Sequence, residues 1–538
     1  MKRARVLWGV LWHLVKADFL SRARRPGFLL TLAFTVYVGY ETFAGGIVIS
    51  LDKYRGIYNS AWVGALMGAV TSCFLSLVGF YIVKGAVERD VETRVGQVLA
   101  STPMTKSFYT VAKALGNFAV LGSMVAVMAI AALLMQLLRD EDRVVHAWAL
   151  WGPLVLFALP AMAVVAAMAV LFETLPGLRG GVGNVAWFFL WIGLLVTGMP
   201  EARGHSAAIT AGEAFRDFTG LGAIFVSSRA ALLRVSPGFT ENFAFNIGGQ
   251  KPSLRFVWDG IDWSGAQVAA RLGWAALAVV LALLAGVFFH RFDPAREWKA
   301  RRRRAKAERE PVEPLASAAA IVRGEEWAGT LTPVARVRGQ ANFARLVAAE
   351  LRLMLKGQTW WWYAGAAALF VACLAAPLNA GRGGAILAAW IWPLLLWSQM
   401  GSREARWQTG ALLRSAPRTL GRQLPAAWVA GVLVAAATGG GLAIRLALAG
   451  DAQGLAGWAG GAVFIPSLAL ALGVWTGTNK WFEAVYTVWW YVGATHHVRG
   501  LDYMGTVPAS STPGLFLALA GVMLASCWLR RRTQLGYA

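Results

Sequence analysis

Charged residues and cysteines are scarce in this chain of 538 residues. Only 15% of the residues are charged, and three are cysteines. Cys73, Cys373 and Cys527 all lie within long apolar runs, where a free cysteine behaves as a small apolar side chain. The sequence therefore predicts neither a disulfide framework nor a cysteine-based zinc site.

Motifs for nucleotide hydrolysis and for hydrolase chemistry are also lacking. A phosphate-binding loop needs the pattern G-x-x-x-x-G-K-[ST], and no lysine in this chain follows a glycine. Neither HExxH nor GxSxG occurs, which excludes two common hydrolase sites. His496 and His497, with Asp502, have side chains that suit zinc, but we interpret them as outer-loop residues. We expect no catalytic residue, metal or cofactor in this chain.

Apolar sequence, in contrast, is abundant. Hydrophobic residues make up 57% of the chain, and they form runs long enough for membrane helices, which need about 20 mostly apolar residues. The net charge is +23. In a soluble protein this excess would suggest nucleic-acid binding, but in a membrane protein Lys and Arg collect in cytoplasmic loops. We therefore expect the lipid bilayer as a partner, and no nucleic acid.

These runs predict an all-α polytopic membrane protein with about 12 transmembrane helices, arranged as two parallel six-helix repeats with both termini in the cytoplasm. The halves occupy residues 1–290 and 343–538. The spans are predicted at residues 28–40, 61–83, 115–138, 148–172, 184–199 and 268–290, and at 360–378, 385–400, 428–448, 458–475, 482–493 and 514–529. A basic linker at 291–342 and a nearly neutral outer segment at 200–267 set this orientation by the positive-inside rule.

An amphipathic helix precedes the first span of each half, at residues 4–24 and 343–358. At corresponding positions, the first helix has the sequence LVKADFLSRARR and the second has LVAAELRLMLKG. A helix with one basic face and one apolar face lies in the plane of the membrane surface. We therefore predict an in-plane helix at the start of each half.

A charged stretch at residues 83–113 recurs at 402–428, and each copy lies between two predicted spans. A fixed offset aligns Arg89-Asp90 with Arg403-Glu404, Gly96 with Gly410, Leu99 with Leu413, Ser101 with Ser415 and Pro103 with Pro417. In each copy a proline ends the helix, because proline lacks the backbone donor. The order and context of the two copies favour an internal repeat.

The first copy predicts one amphipathic helix over residues 86–101. Its apolar face comprises Val87, Val91, Val95, Val98 and Leu99, and its polar face comprises Glu88, Arg89, Asp90, Glu92, Arg94 and Gln97. This spacing matches the 3.6-residue helical period. Such a helix could lie on the lipid headgroups, but its repetition favours a pair of docking surfaces.

Ionisable and amide residues near the spans are candidates for a transport pathway or for the inner face, because such residues are costly within a membrane. They are Glu41, Asn117, Glu173, Asn184, Gln399 and Glu483. The alternative is structural, since amides often join neighbouring helices and acids near span ends cap them. Glu173 with Arg179, and Lys480 with Glu483, are expected as inner-face ion pairs or as links to the charged loops.

This layout resembles the membrane subunit of ABC-2 type transporters, with two half-permeases fused in one chain. The in-plane helices, the charged helices that end at Pro103 and Pro417, and the large outer segment at 200–267 carry the resemblance. The stretches LFETLPGLRGGVGN and TGTNKWFEAVYTVWWYVG also look like the turns between fourth and fifth spans in such permeases.

The resemblance implies that helices 86–101 and 402–416 are coupling helices, which dock on a separate cytoplasmic ATPase that binds ATP and Mg. The coupling residues it implies are Glu88, Arg89, Asp90, Glu92, Gln97 and Pro103 in the first copy, and Arg403, Glu404, Arg406 and Pro417 in the second. It also implies an exporter in a bacterial inner membrane. The second copy has a thinner apolar face, formed by Trp407, Ala411 and Leu412, which predicts either weaker coupling or a non-identical ATPase.

Two other functions remain open from the sequence. An ATP-independent secondary transporter also has a twofold repeat. A membrane-embedded transferase acting on lipid-linked sugars would use outer-loop acids such as Asp52 or Asp259. The sequence leaves the cargo, its direction and the oligomeric state undetermined, although an apolar lining would suit an amphipathic or lipid-like cargo.

Overall fold

The chain forms two compact, mostly helical units, Met1–Phe292 and Asp293–Ala538. The computed structural model describes residues 2–23, 26–45, 47–51, 53–139, 141–198, 210–237, 243–247, 254–292, 343–410, 419–495, 500–506 and 512–536. The predicted basic linker, apart from residues 291 and 292, lies outside these residues. So do His496, His497 and Asp52.

The first unit contains thirteen described helices and four short strands. The helices are α1 (Lys2–Ala23), α2 (Pro26–Ala44), α3 (Ser60–Val70), α4 (Ser76–Val83), α5 (Ala86–Glu92), α6 (Val95–Ser101), α7 (Lys106–Arg139), α8 (Ala147–Pro153), α9 (Leu159–Thr174), α10 (Gly181–Thr197), α11 (Ala211–Arg216), α12 (Leu221–Val235) and α13 (Gly265–Phe288). The strands are β1 (Ile47–Leu51), β2 (Tyr54–Gly56), β3 (Phe243–Ile247) and β4 (Leu254–Phe256). π-Helical turns at Thr71–Leu75 and Leu154–Ala158 connect α3 to α4 and α8 to α9.

The second unit is helical throughout its described part. Its helices are α14 (Phe343–Leu355), α15 (Trp360–Ala375), α16 (Leu378–Ala380), α17 (Ile386–Ile391), α18 (Leu394–Trp397), α19 (Arg403–Trp407), α20 (Thr419–Leu448), α21 (Ala452–Thr476), α22 (Lys480–Trp489) and α23 (Pro513–Gly536). π-Helical turns at Gly381–Ala385 and Trp490–Thr495 precede α17 and follow α22.

Seven helical segments of the described chain are long and apolar enough to cross a membrane, and some of them include several of the helices named above together with their π-helical turns. They are Ser60–Glu92, Lys106–Arg139, Ala147–Thr174, Gly265–Phe288, Gly421–Leu448, Ala452–Thr476 and Pro513–Gln534. Two further apolar helices, Gly181–Thr197 and Trp360–Ala375, are shorter. The chain therefore has the architecture of a helical multi-pass membrane protein. The count of twelve spans and their arrangement as two parallel repeats stay predictions.

Helix boundaries differ from the predicted spans at several places, and both α7 and α20 begin nine residues before their predicted spans. The helix α7 has 34 residues and so is about 51 Å long at 1.5 Å per residue, well beyond the roughly 30 Å of hydrocarbon. The predicted span at 385–400 is instead divided into short pieces, α17 and α18, because Pro393 lacks a backbone donor.

A four-stranded sheet makes the all-helical prediction incomplete. Its strand order is β3-β1-β2-β4. The strands β1 and β3 are antiparallel, with Ile47 opposite Ile247, whereas β2 and β4 are parallel. The sheet joins the predicted first outer loop to the predicted outer segment at 200–267. The β-branched residues of β1 favour a strand. The partner strand β3 lies about 190 residues further along the chain, so a local sequence pattern cannot indicate the pairing.

Close approach between α3 and α8 depends on glycine. A Cβ at Gly64 would lie 2.4 Å from the carbonyl oxygens of both Ala149 and Leu150, and one at Gly68 would lie 2.8 Å from Pro153. Small residues at such contacts let membrane helices approach closely enough for backbone packing. The packing of α3 on α8 therefore tolerates no side chain at Gly64.

The variant Gly64→Val should lower the free energy of unfolding by about 1–3 kcal/mol or more, the usual range for overpacking, because two backbone oxygens block the new side chain. The thermal unfolding midpoint of the protein in detergent measures this. Gly193→Val is the matched control, since Gly193 is also helical and nothing lies within 4 Å of its Cβ position. Equal midpoints for the two variants would contradict the prediction.

Candidate functional site

The first charged loop consists of two short helices, α5 and α6, so the prediction of one helix over 86–101 is wrong in this respect. The break lies at Arg94, which has a left-handed backbone with φ of 59°. The resulting turn brings Gly96 against Phe292, where a Cβ would lie 2.5 Å from the ring. The loop therefore packs against Phe292, in the segment that follows α13.

Glu173 fixes the start of this loop. Its carboxylate accepts hydrogen bonds from the backbone amides of Gly85, Ala86, Val87 and Glu88, at 2.5, 3.0, 2.6 and 3.1 Å. The first amides of a helix have no partner within the helix, and a negative charge there also complements the helix dipole. The structure thus places this predicted inner-face acid at the N-terminus of α5, where it joins α9 to the charged loop.

A buried acid of α1, the predicted in-plane helix of the first unit, holds the loop from another side. Arg89 Nη2 donates to Asp18 Oδ1 at 2.5 Å, and Lys113 Nζ of α7 donates to the same oxygen at 2.9 Å. Arg22 Nη2 lies 3.9 Å from Asp18 Oδ2. Asp18 therefore connects three elements, namely α1, α5 and α7.

Asp90 extends this cluster. Its Oδ2 atom lies 2.7 Å from Lys113 Nζ and accepts a hydrogen bond from the Tyr109 hydroxyl at 2.7 Å. Asp18, Asp90 and Lys113 are all buried. Removing one partner from buried ions leaves an uncompensated charge, which is strongly destabilising. The cluster therefore fixes the loop rigidly to α1 and to the first turns of α7.

The outward surface of the loop is apolar at its centre. Val91, Val95 and Val98 are 51%, 48% and 67% exposed, whereas Asp90 is buried and Arg89 is largely buried. The other exposed residues around the valines include Glu88, Glu92, Thr93, Arg94, Gln97, Ser101 and Pro103. Of the implied coupling residues, Arg89 and Asp90 thus face the membrane helices and do not belong to the exposed surface.

The second charged loop is anchored by the corresponding type of contact. Arg403 Nη1 lies 3.4 Å from Glu350 Oε2 of the in-plane helix α14. Glu404 accepts from Gln423 Nε2 at 3.3 Å and pairs with Arg531 of α23. Arg406 and Trp407 are exposed. Leu413, Ser415 and Pro417, together with Ala411 and Leu412, lie outside the residues that the structure describes.

Four positions of the two loops, each separated by 314 residues, have matching roles. The pairs are Arg89 and Arg403, Asp90 and Glu404, Arg94 and Gln408, and Tyr109 and Gln423. In each loop the arginine contacts an acid of the in-plane helix, and the next residue is an acid that accepts from the helix after the loop. In each loop the third position ends the first helix with a positive φ, 59° and 55°.

The two in-plane acids also correspond in sequence. Asp18 ends the stretch LVKAD, and Glu350 ends the stretch LVAAE. These acids, together with Tyr109 and Lys113, were not among the residues that sequence reasoning singled out. The alignment of the two in-plane helices was the signal that could have identified them, because an acid is retained at the same place in both.

Burial weakens the ion pair in the second unit. It raises the pKa of Glu350, against the opposing effect of Arg403, and it lowers the pKa of Arg403. Both shifts oppose ionisation, because a buried charge loses its hydration. The contact between Glu350 and Arg403 therefore stabilises the second loop less than a fully ionised pair would.

The other predicted polar residues have local partners. Asn117 donates to the Ala166 carbonyl at 3.2 Å and thereby joins α7 to α9. Asn184 Oδ1 accepts from Lys84 Nζ at 2.7 Å. Gln399 is half-buried and donates to the Leu395 carbonyl at 3.3 Å. Each of these three amides thus joins or caps helices within its own unit.

The two remaining acids belong to different units. Glu41 is half-buried near the end of α2. Glu483 is buried and accepts from Asn479 Nδ2 at 2.8 Å, at the start of α22. In the parts of the chain that the structure describes, no group of three or more His, Cys, Asp or Glu residues could hold a metal ion. Among the described residues, the ion pairs of the first charged loop connect five largely buried charged side chains, those of Asp18, Arg22, Arg89, Asp90 and Lys113.

Replacing Asp18 with alanine should destabilise the first unit by about 3–5 kcal/mol, the usual effect of breaking a buried ion pair. Arg89 and Lys113 would then lose their shared acid. The thermal midpoint in detergent and the rate of proteolysis within residues 86–101 measure this effect. Glu92→Ala removes an exposed acid from the same loop and should change stability by no more than about 0.5 kcal/mol. A midpoint that Asp18→Ala leaves unchanged would contradict the anchor.

The raised pKa of Glu350 predicts a pH dependence in the second unit. An acid whose pKa is raised on folding stabilises the protein below its ordinary value of 4.5, and this contribution is lost as pH rises through the folded-state pKa. Glu350→Gln cannot ionise. The variant's thermal midpoint should therefore rise relative to that of the unaltered protein as pH increases from about 4 to 8. Parallel midpoint curves for the two proteins would rule this out.

Comparison of the chain with protein-family models, with curated proteins and with solved structures found no match in any of the three. The geometry of the two charged loops is therefore the basis on which a function can be assigned.

Proposed function

We propose that this chain is the transmembrane subunit of an ATP-binding-cassette exporter of the ABC-2 type, driven by a separate ATPase. One observation carries the proposal. The first charged loop presents three exposed valines on one side and is fixed by buried ions to α1 and α7 on the other. An exposed apolar surface of this kind is typical of a docking site, and its rigid attachment would transmit a displacement to the membrane helices.

The matching anchors support a paired arrangement. In our proposal, the two units are parallel six-helix halves with both termini inside, and both charged loops face the cytoplasm. Helix-in-groove docking draws affinity from an apolar stripe and register from the flanking charges. The ATPase would dock on the valines of the first loop and on Trp407 of the second. Glu88, Glu92 and Gln97 would set the register.

In this proposal the chain performs no covalent chemistry. ATP and Mg bind to the partner, and closure of the ATPases drives the two halves between inward-facing and outward-facing states. A bacterial inner membrane is the proposed location. The proposed cargo is amphipathic or lipid-like, because the candidate spans are strongly apolar and such a lining suits a molecule with a hydrocarbon part.

Purification of the tagged chain from its native host in mild detergent tests this proposal. An ATPase with a phosphate-binding loop should co-purify. It should be lost when Val91→Asp, Val98→Asp and Trp407→Ala are combined, because these changes remove the exposed apolar groups of both loops.

The control combines Val144→Asp with Trp148→Ala, since these residues are similarly exposed but lie at the predicted outer end of the first unit. It should retain the ATPase. A chain that purifies alone in every case would overturn the proposal and favour a transporter that does not use ATP.

A further inference from the structure

The two anchored loops present different apolar groups. The first presents Val91, Val95 and Val98, three aliphatic side chains spread over α5 and α6. In the described part of the second loop, the large exposed apolar side chain is that of Trp407, which is 67% exposed. Trp407 is the last residue of the five-residue helix α19. The Arg406 guanidinium lies 5.9 Å from the centre of its ring. A shallow aliphatic stripe and a single large aromatic group require different receiving surfaces.

The exposed charges around these groups also differ in sign. On the first loop the exposed ions are Glu88, Glu92 and Arg94, so acids are in excess. In the described part of the second loop Arg406 is exposed, and Arg422, in the first turn of α20 just beyond the loop in sequence, is also exposed. Glu404, the acid of that loop, forms an ion pair with Arg531, so its charge is balanced within the unit. The described part of the second docking surface is therefore basic.

One receiving surface cannot complement both loops. A groove rimmed by basic residues would attract the first loop and repel the second, and like charges placed together across an interface cost several kcal/mol. A pocket that buries an indole would not be filled by separate valines, and an aromatic anchor depends on a well-packed pocket for its contribution to binding. Discrimination between partners arises from such mismatches as much as from favourable contacts.

We propose that the two loops dock on two non-identical ATPase chains. The partner of the first loop has an apolar groove with basic residues at its rim. The partner of the second loop has a deeper pocket for an aromatic side chain, with carboxylates near Arg406. This inference rests on the function proposed above and adds the composition of the partner.

Separate variants of the two loops test this inference. Val91→Asp with Val98→Asp alters the first loop only, and Trp407→Ala alters the second. Each tagged variant is purified from the native host, and mass spectrometry identifies and counts the chains that contain a phosphate-binding loop. The unaltered protein should carry two different ATPases. Each loop variant should lose a different one by at least about tenfold, which corresponds to 1.4 kcal/mol.

Controls show whether a loss is specific. Val144→Asp and Trp148→Ala make the same chemical changes at residues of similar exposure outside the loops, and both should retain the two ATPases. Trp407→Phe keeps an aromatic anchor and should recover most of the second ATPase. Thermal midpoints equal to that of the unaltered protein show that the loop variants are folded.

The outcomes separate this inference from the proposed function. Two copies of one ATPase, lost from either loop variant alike, would overturn the inference and leave the ATP-driven transporter in place. One ATPase lost only from the first-loop variant would also overturn it and would indicate that the second loop has no docking role. Absence of any ATPase from the unaltered protein would overturn the proposed function, and this inference with it.

Discussion

The charge cluster around Asp18 is the interaction on which the geometry of the first unit's loop depends. Asp18 and Asp90 carry two negative charges, and Arg22, Arg89 and Lys113 carry three positive charges, in surroundings that exclude most water. Each ion lost its hydration on folding, so each must keep its partners. Three elements that are distant in sequence are thereby held in one arrangement. A force applied to the loop would reach the in-plane helix and α7 together.

The second unit follows the same plan with fewer ions. Position 427 corresponds to Lys113 by the shared offset and is an alanine, so no lysine joins Glu404 to α20. Arg531 from the last helix pairs with Glu404 instead. The second loop therefore has an additional ion pair with α23, where the first loop has one with Lys113 of its following helix. The two loops share the contact with the acid of the predicted in-plane helix and differ in this additional ion pair.

Long continuous apolar runs are enough to predict the helical membrane architecture, because about 20 mostly apolar residues form a membrane helix, whereas the short apolar run at Ile47–Leu51 is a strand. Apolar periodicity does not identify the exposed surface of the first loop, because Val87 of the predicted apolar face is buried and Glu88 of the predicted polar face is exposed. Arg89 and Asp90 are instead covered by partners on α1 and α7, far away in sequence. The same limit applies to Glu173. Its carboxylate accepts hydrogen bonds from backbone amides, and a pattern of side chains does not indicate such bonds. The acids of the in-plane helices, Asp18 and Glu350, are visible only when the two halves are aligned.

The small sheet has a consequence for the order in which the first unit matures. Strand β1 directly follows the first long helix, but its antiparallel partner β3 begins at Phe243. Native pairs so distant in sequence form late, because the intervening chain must first be synthesised and arranged. Strand β1 thus has no β3 to pair with while α3 to α12 are made. The sheet can close only near the end of that unit's synthesis, so a truncated first unit would expose an unpaired strand edge.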